Sequence, residues 1–339
     1  MRKIRIAQIG IGHAHATAIF GCMKGLPEVF EIVGWYAPES DIALWKSGAS
    51  FAGDPNFFRG YPQMTLEEIL NDPTIEAVTV ETEEKYMVKY AQMAIDAGKA
   101  VHMDKPGGYD LAEFEKLIAT AKEKDAVLSF GYMYRFNKAL RSVLGRIREG
   151  EFGKVLSVEG QMNCWHGTRQ REWLATVPGG NMFFLNCHML DLVMLIMGGE
   201  PTNIRPLNCA TGRNGSKAID YAMVMLDYPT GPSFIKSCDT EKGGFVRRYL
   251  TIVCEHATIE LKPLEFYPKE DGTMETTATI FLNSVRLRGE SQTFTHRGRY
   301  DTMMVTFARR IVGEVGNPYS YDRELVVYKA LRKCCEMED

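Results

Sequence analysis

The sequence predicts an α/β domain built on a parallel sheet, followed by an α+β domain with an open, mostly antiparallel sheet and helices. Three observations carry this. Strand and helix signals alternate up to about residue 130; after Tyr132 the strand-like runs lengthen and follow one another; the final 40 residues return to helix. A length of 339 residues gives room for two cores of ordinary size.

In the first part, Ile4, Ile6, Ala7 and Ile9 form an apolar run ending in glycine, and Phe30 to Tyr36 form a second. Both fit strands buried on two faces. Ala18/Ile19, Cys22/Met23 and Leu26 recur at helical spacing, as do Met87, Tyr90/Ala91 and Ala94/Ile95, a helix stopped by Gly98. Thr65 with Glu68 and Asp110 with Glu113 read as capping boxes. Further strands are expected at Ala77 to Val80, Ala100 to Met103 and Val127 to Phe130. Repeated βα units imply right-handed crossovers and a parallel sheet.

The second part opens with a helix near Lys138 to Arg148. Strand runs follow at Val155 to Met162, Tyr221 to Tyr228, Ser233 to Asp239, Arg248 to Cys254 and Thr258 to Leu264, with a turn at Pro229 to Pro232. Met182 to Met197 reads as one buried helix, because Asn186, His188 and Asp191 make it a poor membrane span. Terminal helices show apolar stripes at Met304, Phe307/Ala308 and Ile311, and at Leu325, Val326, Ala330 and Leu331. The expected division is 1–129, 130–298 and 299–339, the last packing back towards the first.

Forty basic against 43 acidic residues give a net charge of −3, so there is no basic field for nucleic acid or an anionic membrane. Eight cysteines without C-x-x-C pairs read as free thiols in a reducing compartment. Arg5 interrupts the N-terminal apolar run and no cleavage site follows, so a cytoplasmic setting is expected rather than secretion.

Gly10-Ile-Gly12-His13-Ala14-His15 stands between the first strand and the first helix, where backbone N–H groups can cradle a dinucleotide pyrophosphate. Gly10 permits the turn and Gly12 a close approach; His15 replaces the third glycine of the fingerprint. Ala37 holds the position at the end of the second strand where an acid would bind ribose hydroxyls. Glu39 and Asp41 follow, with no lysine or arginine to balance a 2′-phosphate, which favours NAD over NADP without excluding NADP. Lys105, at the carboxyl end of the Ala100 strand and fixed by Pro106, reads either as a solvated loop lysine or as an ammonium aimed at a ligand. Glu81 and Asp104, at neighbouring strand ends, complete the cofactor-side candidates.

The glycine turn, the segment Ala97-Gly-Lys-Ala-Val-His-Met-Asp-Lys-Pro106, and Gly179-Gly180 followed by His188 and Asp191 together resemble the Gfo/Idh/MocA family of oxidoreductases. The resemblance covers nearly the whole chain. It implies a Rossmann domain, a C-terminal domain whose sheet forms a homo-oligomer interface, and NAD(P)-linked chemistry on sugars, glycosides or cyclic polyols. By the same resemblance, Lys105 contacts nicotinamide and substrate, and His188 removes the hydroxyl proton as hydride leaves. Phe184 departs from the pattern, standing where many members carry Asp or Asn; Asn186 is a partial substitute.

Arg135, following the last Rossmann strand, could bind substrate hydroxyls or pair with an acid. Trp165, His166 and Trp173 form a polar and aromatic loop suited to a sugar ring face, or to packing. Asp191 lies three residues beyond His188 and shares its helix face. Cys164, His166, Cys187 and His188 show no metal-ligand spacing, so no metal is expected. Two alternatives stay open: a glycoside-processing enzyme that oxidises the sugar transiently to permit elimination, and a non-catalytic dinucleotide or sugar sensor.

Overall fold

In a computed structural model that describes residues 1–48, 51–282 and 290–337, the chain forms two units. One comprises Met1–Tyr132 with Tyr300–Tyr328, the other Met133–Arg299 with Lys329–Asp339.

The first unit runs β1 (Ile4–Ile9), α1 (Ala16–Gly25), β2 (Phe30–Tyr36), α2 (Glu39–Ser47), α3 (Leu66–Asn71), β3 (Ala77–Val80), α4 (Glu84–Asp96), β4 (Ala100–Met103), α5 (Leu111–Glu123) and β5 (Leu128–Phe130). The five strands are all parallel, in the order β2-β1-β3-β4-β5. All four β3 residues and all of β1 except Arg5 are buried, as expected for a sheet covered on both faces. The chain reverses direction of travel at β1, so its carboxyl edge, where Gly10, Glu81 and Asp104 lie, is the topological switch point where ligands bind in such sheets. Thr65 and Glu68 form the expected reciprocal capping box. Asp110 caps α5 by accepting from the Glu113 N–H at 2.9 Å.

The second unit contains α6 (Lys138–Arg148), β6 (Val155–Gln161), α7 (Thr168–Leu174), α8 (Cys187–Met197), β7 (Asn203–Cys209), β8 (Tyr221–Asp227), β9 (Ser233–Cys238), β10 (Tyr249–Cys254), β11 (Thr258–Leu261), β12 (Thr273–Phe281) and β13 (Glu290–Arg297). These form an eight-stranded sheet, β13-β12-β11-β10-β6-β9-β8-β7, in which only β6 and β9 pair in parallel among the described residues. Alternating burial along β8, β10 and β12 shows one face packed and one more open. α8 packs on β6 and β9. It lies close over Gly160, where a Cβ would come within 2.8 Å of Met189 Sδ.

The single helix expected over Met182 to Met197 is two elements: a π-helical turn at Met182–Asn186 leads into α8. Such turns widen the backbone spiral and re-aim side chains, frequently at functional sites. Two helices close the chain, α9 (Asp301–Ile311) and α10 (Tyr321–Cys334). The eight cysteines are free thiols. Among the described residues, no helix is long and apolar enough to cross a membrane.

Candidate functional site

The two units each present a cluster of chemistry-bearing residues. In the first unit, β1 ends at Gly10, whose φ of +96° favours glycine. A Cβ there would lie 2.4 Å from Thr82 N, and one on Gly12 would meet Glu83 N at 2.4 Å. Both positions therefore require a bare backbone. The N–H groups beyond Gly10 hold an anion, and it is the chain's own: Asp41 Oδ2 accepts from Ile11 N and Gly12 N, each at 2.9 Å, and Oδ1 accepts from Glu83 N at 3.3 Å. Burial pushes the Asp41 carboxyl up to about 6, although the three N–H groups favour its charged form. Ala37, at the strand end, offers only a methyl group. The acid on this edge comes instead from the first turn of α2, a placement that reading the strand end misses.

His13, His15, Glu81 and Asp104 converge beside this turn. Asp104 Oδ2 lies 3.0 Å from His15 Nδ1 and 3.4 Å from His13 Nδ1, while Glu81 Oε2 lies 3.4 Å from the same His13 nitrogen. Burial alone would lower His13; the carboxylates of Asp104, Glu81 and Glu84 together raise it to about 10. Burial lowers His15 to about 3. Glu81 rises to about 8 through burial and the nearby Asp104 charge. Against the upward push of burial, His13 and His15 hold the Asp104 carboxyl well below its ordinary value. Asp104 Oδ1 accepts the Lys105 N–H at 2.7 Å. Lys105 is 1% exposed, which removes the reading of a solvated loop lysine. Ala14 is half-buried at the turn.

In the second unit, His188 sits buried on α8 with its ring edge-on to Tyr134, centroids 5.1 Å apart. Tyr134 is held from behind: its hydroxyl donates to Glu265 and accepts from Arg248 at 3.1 Å and Arg299 at 2.8 Å. Burial would raise Glu265, but Arg299 and Arg248 hold its carboxyl below the usual range. Glu265, Arg248 and Arg299 went unsingled in the sequence because they stand 131, 114 and 165 residues from Tyr134.

Arg135 and Asp191 meet in a buried two-pronged ion pair, Nε to Oδ2 at 2.8 Å and Nη2 to Oδ1 at 2.7 Å. Of the two sequence readings of Arg135, pairing with an acid is the one observed. Asp191 is correspondingly engaged by protein. Asn186 is buried in the π turn; its Nδ2 lies 3.4 Å from Met182 Sδ and its Oδ1 has no hydrogen-bond partner among the described residues. Asn181, which the sequence reading passed over, is buried with neither side-chain polar atom partnered. Its signal was its place directly after Gly179-Gly180. The aromatic loop divides: Trp173 is buried edge-on against Phe184 at 5.3 Å, while Trp165 is 51% exposed. His166 lies 6.1 Å from the Phe184 ring and 3.3 Å from Cys164 Sγ through Nε2.

A parallel sheet with an anion on the glycine turn at its switch point, followed by a unit built on a mostly antiparallel sheet, defines a nucleotide-binding protein of the Rossmann class. The chain belongs to the Gfo/Idh/MocA oxidoreductases: residues 4–132 match the model of the oxidoreductase family with an NAD-binding Rossmann fold, and residues 140–260 match a GFO/IDH/MocA C-terminal domain. It is 25% identical over 233 residues to the uncharacterized oxidoreductase YdgJ of Escherichia coli K12, covering 67% of this chain and 62% of that protein. It is 29% identical over 165 residues to scyllo-inositol 2-dehydrogenase (NADP(+)) IolW of Bacillus subtilis, covering 48% and 46% respectively. The match thus spans about half to three-fifths of the length of these relatives. Among solved structures, UDP-N-acetylglucosamine 3-dehydrogenase GnnA from Acidithiobacillus ferrooxidans shares the fold with a TM-score of 0.76 at 17% identity, over 99% of this chain and 98% of that one.

Proposed function

We propose that the chain is an NAD(P)-dependent oxidoreductase acting on a hydroxyl-bearing carbon of a sugar, glycoside or cyclic polyol, with NAD preferred. The observation that carries this reading is the Gly10–Gly12 turn, whose N–H groups hold an anion at the switch point of a parallel sheet. The residues fit the phosphates of a dinucleotide: the N–H groups of Ile11 and Gly12 would bind them, with Asp41 giving way. The nicotinamide, when bound, supplies the hydride acceptor. Residues 1–129 carry the cofactor in this reading and 130–298 the substrate.

Two side chains of this chain handle the proton. Lys105 presents an ammonium that stabilises negative charge developing on the substrate oxygen. His188, as the neutral imidazole, accepts the hydroxyl proton. Relatives and structural neighbours named for an inositol and a UDP-sugar support the substrate class. The acidic Glu39 and Asp41, with no cation beside them, support NAD, while the relative named for NADP(+) keeps NADP in the comparison.

Releasing and identifying nucleotide from the purified chain, then following nicotinamide absorbance over a panel of sugars, glycosides and polyols, tests the reading. Lys105→Met and His188→Ala should retain dinucleotide binding and lose turnover by at least about 100-fold; unchanged rates in both overturn it. NADP binding ten or more times tighter than NAD overturns the cofactor preference.

Phe184, packed near Trp173 and His166 at the departed family position, favours a second reading in which oxidation is transient and an elimination follows. Its mark is glycoside cleavage without net accumulation of reduced nicotinamide. If no compound in the panel changes the nicotinamide signal, a sensor role takes precedence. We place the protein in the cytoplasm as a homo-oligomer joined through the open face of the eight-stranded sheet; sedimentation of a monomer overturns that assembly.

A further inference from the structure

We propose that Tyr134 is a positioning residue for His188: its ring fixes the plane of the imidazole, and a buried clamp of one carboxylate and two guanidinium groups fixes the ring. The inference deepens the oxidoreductase reading and rests on it for the role of His188 as proton acceptor. It begins from a freedom that α8 cannot remove by itself. The last torsion of a histidine side chain, about the bond to its flat ring, has broad and roughly two-fold minima. A helix backbone therefore sets where the imidazole stands and not which way its nitrogens face. A base needs both, because a misplacement of about 1 Å can lower a rate about 100-fold.

Tyr134 supplies the missing constraint. It lies in the single 3-10 turn Met133–Phe136, and its ring stands at 81° to the His188 ring with centroids 5.1 Å apart, the edge-to-face arrangement that aromatic pairs favour. The next residue, Arg135, reaches the same helix and pairs with Asp191. His188 and Asp191 stand three residues apart on one face of α8. Two consecutive residues of the turn thus grip that face at two points.

The Tyr134 hydroxyl shows that the ring is held rather than merely packed. It donates to Glu265 Oε2 and accepts from Arg248 Nη1 at 3.1 Å and Arg299 Nη2 at 2.8 Å. One proton and two lone pairs are all that a phenol offers, so the hydroxyl is committed to protein and the part of Tyr134 presented to His188 is the ring. Glu265 is pinned in turn: Arg248 Nη1 lies 3.2 Å from its Oε2, Arg299 Nε lies 2.6 Å from its Oε1, and the Tyr267 hydroxyl donates to Oε1 at 3.0 Å. Tyr134, Glu265 and Arg248 are buried, where such bonds are electrostatically strong. Arg248 directly precedes β10 and Arg299 closely follows β13, so the clamp is tied to the sheet.

The test uses the full chain labelled with ¹³C at histidine Cε1. Seven histidines give ring signals, and His188→Ala removes the one to be followed. In the wild type the order parameter of the His188 Cε1–Hε1 bond should match rigid structure, about 0.85; in Tyr134→Leu it should fall to about 0.6 or below. Tyr134→Phe, which keeps the ring and loses the clamp, should lie between them. His13 and His102, in the first unit, should not change. Equal order in wild type and Tyr134→Leu overturns the proposal; if Tyr134→Leu does not fold, equal order in wild type and Tyr134→Phe does so. Turnover of scyllo-inositol with NAD⁺ is read on the same proteins. Tyr134→Leu should lower kcat at least about tenfold with KM within about twofold, and should add no loss when His188 is already alanine. A further loss in that background means that Tyr134 acts other than through His188, and overturns the proposal. A mobile His188 ring with unchanged turnover separates the clamp from the chemistry: the clamp stands and the reading of His188 as the base falls.

Discussion

The Asp41 carboxylate accepts the Gly12 N–H at 2.9 Å, so a side chain from α2 occupies the turn offered to phosphate. Its carboxyl titrates near 6 in the fold against an ordinary value of 3.8, raised chiefly by burial. The folded state therefore binds the proton more tightly than the unfolded chain. The stability from this group is fully present below about pH 4 and is lost as pH rises through about 6. Asp41→Asn removes that dependence. Relative to wild type it should gain up to about 3 kcal/mol between pH 4 and pH 7.5, read by urea unfolding at the two pH values. A stability difference that does not change with pH would show that Asp41 titrates normally.

Arg135 and Asp191 make a different kind of prediction, because both charges are buried and each satisfies the other. Arg135→Met takes the guanidinium away from a buried carboxylate and should cost about 3–5 kcal/mol. The double variant Arg135→Met/Asp191→Leu removes both charges and should recover most of that loss. Urea unfolding of the wild type, both single variants and the double variant measures the coupling. A double variant no better than the single would mean that the pair is not the source of the cost.

Legibility in the sequence followed the range over which each feature is encoded. The strands of the first unit, the Thr65–Glu68 capping box and the turn at Gly10 depend on neighbours in the chain, and periodicity or turn chemistry exposes them. β13, with the polar sequence ESQTFTHR, lies at a sheet edge and lacks apolar alternation; β7, also at an edge, contains Pro206. Their existence depends on a partner strand that local pattern cannot supply. The site divides likewise. Gly10, Lys105 and His188 stand out by position in a motif, whereas Asp41 on Gly12, Arg135 on Asp191 and Glu265 behind Tyr134 are contacts across 29, 56 and 131 residues. Only folding brings those partners together.

Asn186 is a point where stability and binding should part. It is buried in the π turn just ahead of His188, and its Oδ1 has no donor among the described residues. An unsatisfied buried amide oxygen costs about 1–3 kcal/mol relative to a satisfied one, and replacing it with an apolar group of similar shape relieves that cost. Asn186→Leu should therefore raise the Tm, with a gain on the order of 1 kcal/mol after allowing for imperfect packing. If the orphaned oxygen is kept to accept a substrate hydroxyl, the same variant should raise KM at least about fivefold with a smaller change in kcat. Thermal unfolding and steady-state kinetics on the same preparation separate the two effects. A variant that is destabilised and kinetically unchanged would show instead that Asn186 serves the packing of the π turn.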